Sequence, residues 1–284
     1  MGAVFRLLLL ASLAGAGVGC ASLIGASFDD ATLAGDASDA MAFPETSEAE
    51  GSVGPRSIAG LGLWLDGTEQ LDVSGSVVTR WHDLSGNARD AVPADGGSQA
   101  PTASSGIHGL GTVHFVAQSS QMLVTPWAGP GGSAMTVFVV ASGYPQSAVR
   151  FQLTSTQGPF VIFPFDVAAT TDAGADFGLL ISGEPFARVP VDPTRPQLFT
   201  ARFEAGATFT YNDGKLAEQH LPGPTSLPQG QTLTIGGSLP LLAAPYTASQ
   251  FFGGDLGEIL IYDTSLSDAD RGAIEAYLRN KWGI

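Results

Sequence analysis

Asp255 and Glu258 stand three residues apart in the run Gly254-Asp255-Leu256-Gly257-Glu258-Ile259-Leu260, and paired carboxyls are the first candidates for acid–base chemistry. Retaining glycoside hydrolysis needs two such groups on one face, about 5–5.5 Å apart. A regular strand sends residues three apart to opposite faces. Glu258 is therefore read as a structural carboxylate, and no catalytic residue is assigned. No Gly-x-Ser-x-Gly elbow and no His-Glu-x-x-His motif occurs. His82, His108, His114 and His220 lack ligand spacing to one another. The glycine-rich stretches at 129–132 and 236–237 have no following Lys-Ser/Thr and are not phosphate loops.

Two constellations remain. Asp83, Ser85, Asn87 and Asp90 place oxygen donors along one short loop. Such a set either holds calcium, which takes 6–8 oxygens, or closes the loop on its own backbone as an Asx-type turn. Trp127 and Tyr246 sit among Pro and Gly in segments between strand patterns. Loop aromatics either stack on a sugar face or fold back over a sheet edge; they are the ligand-binding candidates. Trp64 and Trp81 lie inside strand patterns and are read as core.

The elements that must position these residues are short. Apolar runs at 61–66, 77–83, 112–116, 135–142, 160–165, 177–182, 198–204, 208–211, 215–220, 232–235 and 255–262 alternate with Gly, Pro, Asp and Asn. That texture is all-β. The run 135–140 is nearly continuous apolar and reads as a central strand. Phe199, Ala201 and Phe203 alternate with Thr200, Arg202 and Glu204, so that strand has one buried and one wet face. Asp213-Gly214 between two strand-like runs predicts a two-residue hairpin with Tyr211 opposite Leu216. One helix is expected at the end. Ser267 caps it with Asp270 at capping-box spacing, Ile274, Tyr277, Leu278 and Trp282 share a face, and Gly283 ends it.

The 284 residues carry a formal charge of −15, with only 14% charged residues. That balance excludes bulk phosphate neutralisation, hence nucleic acid, and electrostatic docking on anionic lipid. The N-terminus differs from the rest. Arg6 precedes a 12-residue apolar run at 7–18, too short for the roughly 20 residues of a membrane span but suited to a signal peptide. Residues 21–55 hold seven carboxylates among Ala, Ser, Gly and Thr, with no basic residue and no apolar periodicity. This composition reads as a flexible tether with an r.m.s. span of about 33 Å.

Gly17-Val18-Gly19-Cys20, around the only cysteine, resembles the lipobox of bacterial lipoproteins. The resemblance implies cleavage before Cys20, acylation of that residue and anchoring in a membrane. Ala21 rather than Asp after it implies the outer membrane of a Gram-negative envelope. Gly62-Leu63-Trp64-Leu65-Asp66, the run from Val78 to Asn87, Tyr211-Asn212-Asp213-Gly214-Lys215 and the closing segment from Phe252 to Gly283 resemble bacterial laminin-G-like, concanavalin A-like domains. The family implies a jelly-roll sandwich of two antiparallel sheets with one short C-terminal helix. Its glucanases carry Glu-x-Asp-x-x-Glu on one strand, a pattern missing from this sequence. The expectation is thus a signal peptide at 1–19, a lipidated tether at 20–55 and a sandwich domain at 56–284. That domain would be non-enzymatic and would bind a glycan or surface protein, as in adhesion. A structural spacer without ligand and a glycoside hydrolase are the alternatives.

Overall fold

The computed structural model describes residues 54–94, 97, 99–127, 129, 134–143, 149–154, 161–167, 175–181, 184–192, 194–221, 233–237 and 251–284, the strands within 149–191 as backbone. Its strands are β1 (Leu61–Asp66), β2 (Leu71–Ser74), β3 (Val77–Trp81), β4 (Val92–Pro93), β5 (Thr102–Ile107), β6 (Leu110–Phe115), β7 (Leu123–Thr125), β8 (Met135–Ser142) and β9 (Val149–Thr154). There follow β10 (Val161–Val167), β11 (Ala175–Ile181), β12 (Glu184–Val191), β13 (Gln197–Glu204), β14 (Ala207–Asn212), β15 (Lys215–His220), β16 (Leu233–Ile235) and β17 (Gly254–Tyr262). A single α-helix among the described residues, α1 (Asp268–Trp282), closes the chain. It is neither long nor apolar enough to cross a membrane.

All described pairings are antiparallel. One ten-stranded sheet runs β15-β14-β13-β8-β17-β6-β5-β3-β2, with β1 also paired to β17. The early part of β17 pairs with β6 and the later part with β1, so those two strands share one edge of it. The ladders β12-β11-β10-β9 and β16-β7-β4 lie opposite, with β16 beside β9. The result is a β-sandwich of two antiparallel sheets with a C-terminal helix, as the strand pattern implies.

The central strands are buried on both faces, which is why their sequences are nearly continuous apolar. Val137, Val139 and Ala141 of β8, with Ile259 and Ile261 of β17, enter the core between the sheets. Phe138, Val140, Leu260 and Tyr262 point the other way, under Ile274, Leu278 and Trp282 of α1. The helix also alters one expectation. Phe199, Ala201 and Phe203 are buried as the alternation requires, but the opposite face is not wet throughout. Thr200 is fully buried and donates to Glu275 Oε1 at 3.0 Å, because α1 lies over it.

Local chemistry explains the ends. The amide of Asp270 donates to Ser267 Oγ at 3.1 Å, and Gly283 adopts a left-handed φ of 68° at the C-cap. Asp213 and Gly214 have φ of 50° and 80°, the two positive values of a type I′ turn, with Tyr211 opposite Leu216.

A bulge in β17 corrects the reading of Asp255 and Glu258. The register slips between Leu256 and Glu258, so Leu256 and Ile259 both face the inner core although three apart. Asp255 and Glu258 consequently share the outer face, where regular alternation would have separated them. Gly257 makes the bulge tolerable. A Cβ there would come within 2.8–3.0 Å of the Trp282 ring. Gly257→Ala should therefore cost about 1–3 kcal/mol, the range for overpacking a filled site. Thermal unfolding checks it; an unchanged melting temperature would mean that the ring moves aside freely.

Candidate functional site

Glu258 is fully enclosed, yet it accepts from four side chains. The indole of Trp64 donates to Oε1 at 2.7 Å and the phenol of Tyr277 at 3.2 Å. The indole of Trp282 and the ammonium of Lys281 donate to Oε2, each at 2.8 Å. Lys281 also donates to Asp66, the cross-strand partner of Glu258. Burial pushes the Glu258 carboxyl up, the charge of Asp66 adds to this, and Lys281 and Trp282 oppose it. The phenol of Tyr277 is raised by burial and then by Glu258, which keeps it a donor. Removing a carboxylate from water costs several kcal/mol unless its lone pairs are satisfied. Here they are, by two indoles, a phenol and an ammonium.

Asp66 does related work on the other side. Its Oδ1 accepts from the amide and hydroxyl of Thr68, at 2.9 and 2.7 Å. Its carbonyl accepts from the Glu69 amide at 3.2 Å. The turn bearing Glu69 and Gln70 is thereby tied to the buried carboxylate pair. Gln70 holds a left-handed φ of 49°, and its carbonyl accepts from the His82 amide.

Trp64 reaches the surface between these features. It lies on the helix-side face of β1, half-buried against the outer core. Beside it opens a groove of about 500 Å³ lined by Pro55, Arg56, Trp64, Glu69, Gln70 and Leu84, with Gly54 and Ser57 at its edge. The Arg56 guanidinium sits 5.6 Å from the Trp64 ring centroid, and its Nε and Nη2 donate to the Leu84 carbonyl at 2.9 and 2.7 Å. A cation that close to an indole face is attracted by the ring quadrupole. Strand alternation had placed Trp64 in the core; the helix does not cover its outer edge.

Trp127 has moved the opposite way. It follows β7, its amide turns back to the Thr125 carbonyl at 2.9 Å, and its ring is buried in the inner core. The expectation of a displayed ring is corrected. Pro126 and Gly129 let the chain fold inward, and an indole has much apolar surface to gain by doing so. Its N–H makes no hydrogen bond among the described residues, and nearby Asp263 has its carboxyl raised by burial and lowered by Arg89 and by that indole. Trp81 is fully buried, as expected. Tyr246 and Cys20 lie outside the described residues.

The Asp83 loop closes on itself. Asp83 Oδ1 accepts from the amides of Trp64 and Ser85, at 3.0 and 2.9 Å. Its Oδ2 accepts from the Ser85 hydroxyl and the Arg89 amide, at 2.8 and 3.0 Å. Asp90 Oδ1 accepts from the Asp83 amide at 2.9 Å, and its Oδ2 lies 3.2 Å from Arg80. Asn87 uses its amide nitrogen, donating to the carbonyls of Leu61 and Gly62. A calcium ion needs those oxygens pointing inward to one centre. Asp83, Ser85 and Asp90 instead spend oxygens on backbone donors, the Asx-turn alternative, while Asn87 turns its NH₂ to backbone carbonyls, and together they brace the end of β1 that carries Trp64.

No protein-family model matches the chain, and no curated protein matches it in sequence. Solved structures do match in shape. Domain 4 of AbnA, a GH43 extracellular arabinanase from Geobacillus stearothermophilus, in complex with arabinotriose, is 12% identical with a TM-score of 0.52, covering 74% of this chain and 95% of that one. An arabinofuranosidase complexed with arabinofuranosyl-alpha-1,2-xylobiose is 13% identical with a TM-score of 0.52, covering 70% of this chain and 50% of that one. The binding domain of botulinum neurotoxin DC in complex with SialylT is 9% identical with a TM-score of 0.50, over 78% and 52%. This chain thus spans about half of the last two. At such identities the likeness establishes the fold, a β-sandwich of the kind found in sugar-binding domains and glycoside hydrolases.

Two substitutions separate the tryptophan and carboxylate roles. Trp127→Ala should lower stability by about 3–5 kcal/mol, the range for emptying a buried indole site. Glu258→Gln turns an amide NH₂ toward N–H donors and should cost about 3 kcal/mol or more. Denaturant unfolding measures both. A Trp127→Ala midpoint equal to wild type would restore it as a surface ring.

Proposed function

We propose that this chain is a non-catalytic glycan-binding domain held at the cell envelope, in the outer membrane, by an acylated Cys20 and a tether at 20–55. The observation that carries the binding reading is the groove beside Trp64. It is open, it has an aromatic floor, and it is edged by a cation, a carboxylate and an amide. Ligand sites commonly combine an apolar surface with a few placed polar groups in a volume of about 300–1,000 Å³. The arabinotriose complex of the AbnA domain lends this reading support from a protein of the same fold.

The paired carboxyls favour binding over hydrolysis. Glu258 and Asp66 are both enclosed, and both face protein donors rather than a cleft. A general acid or nucleophile has to reach the scissile bond. The anchor rests on the apolar run at 7–18 and the small residues before Cys20.

The full chain, purified in detergent, is tested on an array of plant and animal glycans and incubated with the glycans it retains. Retention without cleavage is expected. Cleavage of a retained glycan by the wild-type protein would make it a hydrolase, and retention of no glycan would end the binding reading. In cells fed a clickable fatty acid, wild type should take label and Cys20→Ala should not; equal labelling of the two would remove the anchor.

A further inference from the structure

We propose that the groove beside Trp64 takes an uncharged oligosaccharide, with Arg56, Glu69 and Gln70 reading its hydroxyls and the exposed part of Trp64 meeting its C–H face. The proposal rests on the glycan-binding reading and deepens it.

The chemistry of the lining selects the ligand class. Arg56 has five N–H donors and no acceptor. Its Nε and Nη2 bind the Leu84 carbonyl, which leaves the Nη1 donors unused among the described residues. Glu69 offers acceptors, and Gln70 offers both kinds. A hydroxyl is the common ligand group that donates and accepts at once, so a set of hydroxyls satisfies all three side chains. The lining carries one formal charge of each sign, so an anionic glycan drawn to Arg56 also meets Glu69, and a cation the reverse. Trp64, backed by the buried Leu84 and Pro55, supplies the apolar side that a sugar ring, unlike a phosphate or a metal ion, can use.

The site is also built before any ligand arrives. Glu258 pins the Trp64 ring by its N–H, and Asp83 pins the Trp64 amide. Asp66 fixes the turn that carries Glu69 and Gln70. Lys281 ties Asp66 to Glu258, so the floor and one wall share one anchor. The left-handed Gln70 is local strain held in place at the rim, a feature that clusters at ligand sites. Groups fixed in this way lose little freedom on binding. The buried carboxylates are positioning residues for the groove.

The test uses the full chain in detergent, on an array of uncharged pentose and hexose oligosaccharides beside sialylated and uronic-acid oligosaccharides. Wild type is compared with Glu69→Ala, Gln70→Ala and Arg56→Ala. Uncharged oligosaccharides should be retained preferentially. Glu69→Ala and Gln70→Ala should each weaken binding about tenfold, the scale of an interface hot spot. Both are exposed, so the melting temperature should hold. Arg56→Ala should weaken binding likewise. Retained glycans whose affinity none of the three variants changes would overturn this site while leaving glycan binding in place. Preference for the charged glycans would overturn the ligand class. Retention of none would overturn the glycan reading itself, and the site with it.

Discussion

A carboxylate cannot be taken from water into a protein without partners, and Glu258 has been taken in completely. The penalty of several kcal/mol is offset only while Trp64, Tyr277, Lys281 and Trp282 all keep their places. Those four residues come from the first strand and from the last helix. One buried charge therefore sets how α1 docks on the sheet and how the Trp64 ring is turned. Burial of Ile274 and Leu278 contributes about 1.5–3 kcal/mol each to the attachment, whereas the bonds to the carboxylate largely go to offset its own desolvation. The polar bonds supply the register that burial alone does not.

The ten-stranded sheet has two cores in consequence. Its inner face packs against the opposing ladders, and part of its outer face packs under α1. A sandwich whose outer face is covered by a helix can bury carboxyls there and still leave an edge open. The edge left open is at β1, where the helix stops short of covering Trp64. Aromatic floor, tied turn and fixed guanidinium meet at that edge. Fold and groove are thus products of the same docking event.

Much of the fold was legible as sequence. Strands at 61–66, 135–142 and 215–220, the Asp213-Gly214 hairpin and the capped terminal helix depend on local pattern and turn chemistry, and they stand where that pattern puts them. Strands β2, β4, β5, β7, β9 and β12 were not legible. Thr102–Ile107 is polar and Glu184–Val191 carries two prolines, so pairing with neighbours rather than propensity makes them strands. The site was legible in its parts and not in its arrangement. A bulge at Gly257 reversed the facing of Asp255, a loop fold took Trp127 into the inner core, and a helix that stops short left Trp64 only half-buried. Both depend on what packs against the strand, which spacing along one chain does not record. The exposed Glu69 and Gln70 carry no motif; the nearest signal was the Asp66-Gly67-Thr68 turn start ahead of them.

The four tryptophans give a direct readout of the groove, because each indole N–H has its own resonance. In full-length protein labelled with ¹⁵N-tryptophan, Trp64→Phe assigns one signal, and uncharged pentose and hexose oligosaccharides are then titrated. The Trp64 indole signal should move with saturation, Trp282 should follow weakly through Glu258, and the buried Trp81 and Trp127 should stay still. A saturable shift at Trp127 with Trp64 unmoved would contradict the assignment of the groove as the binding surface.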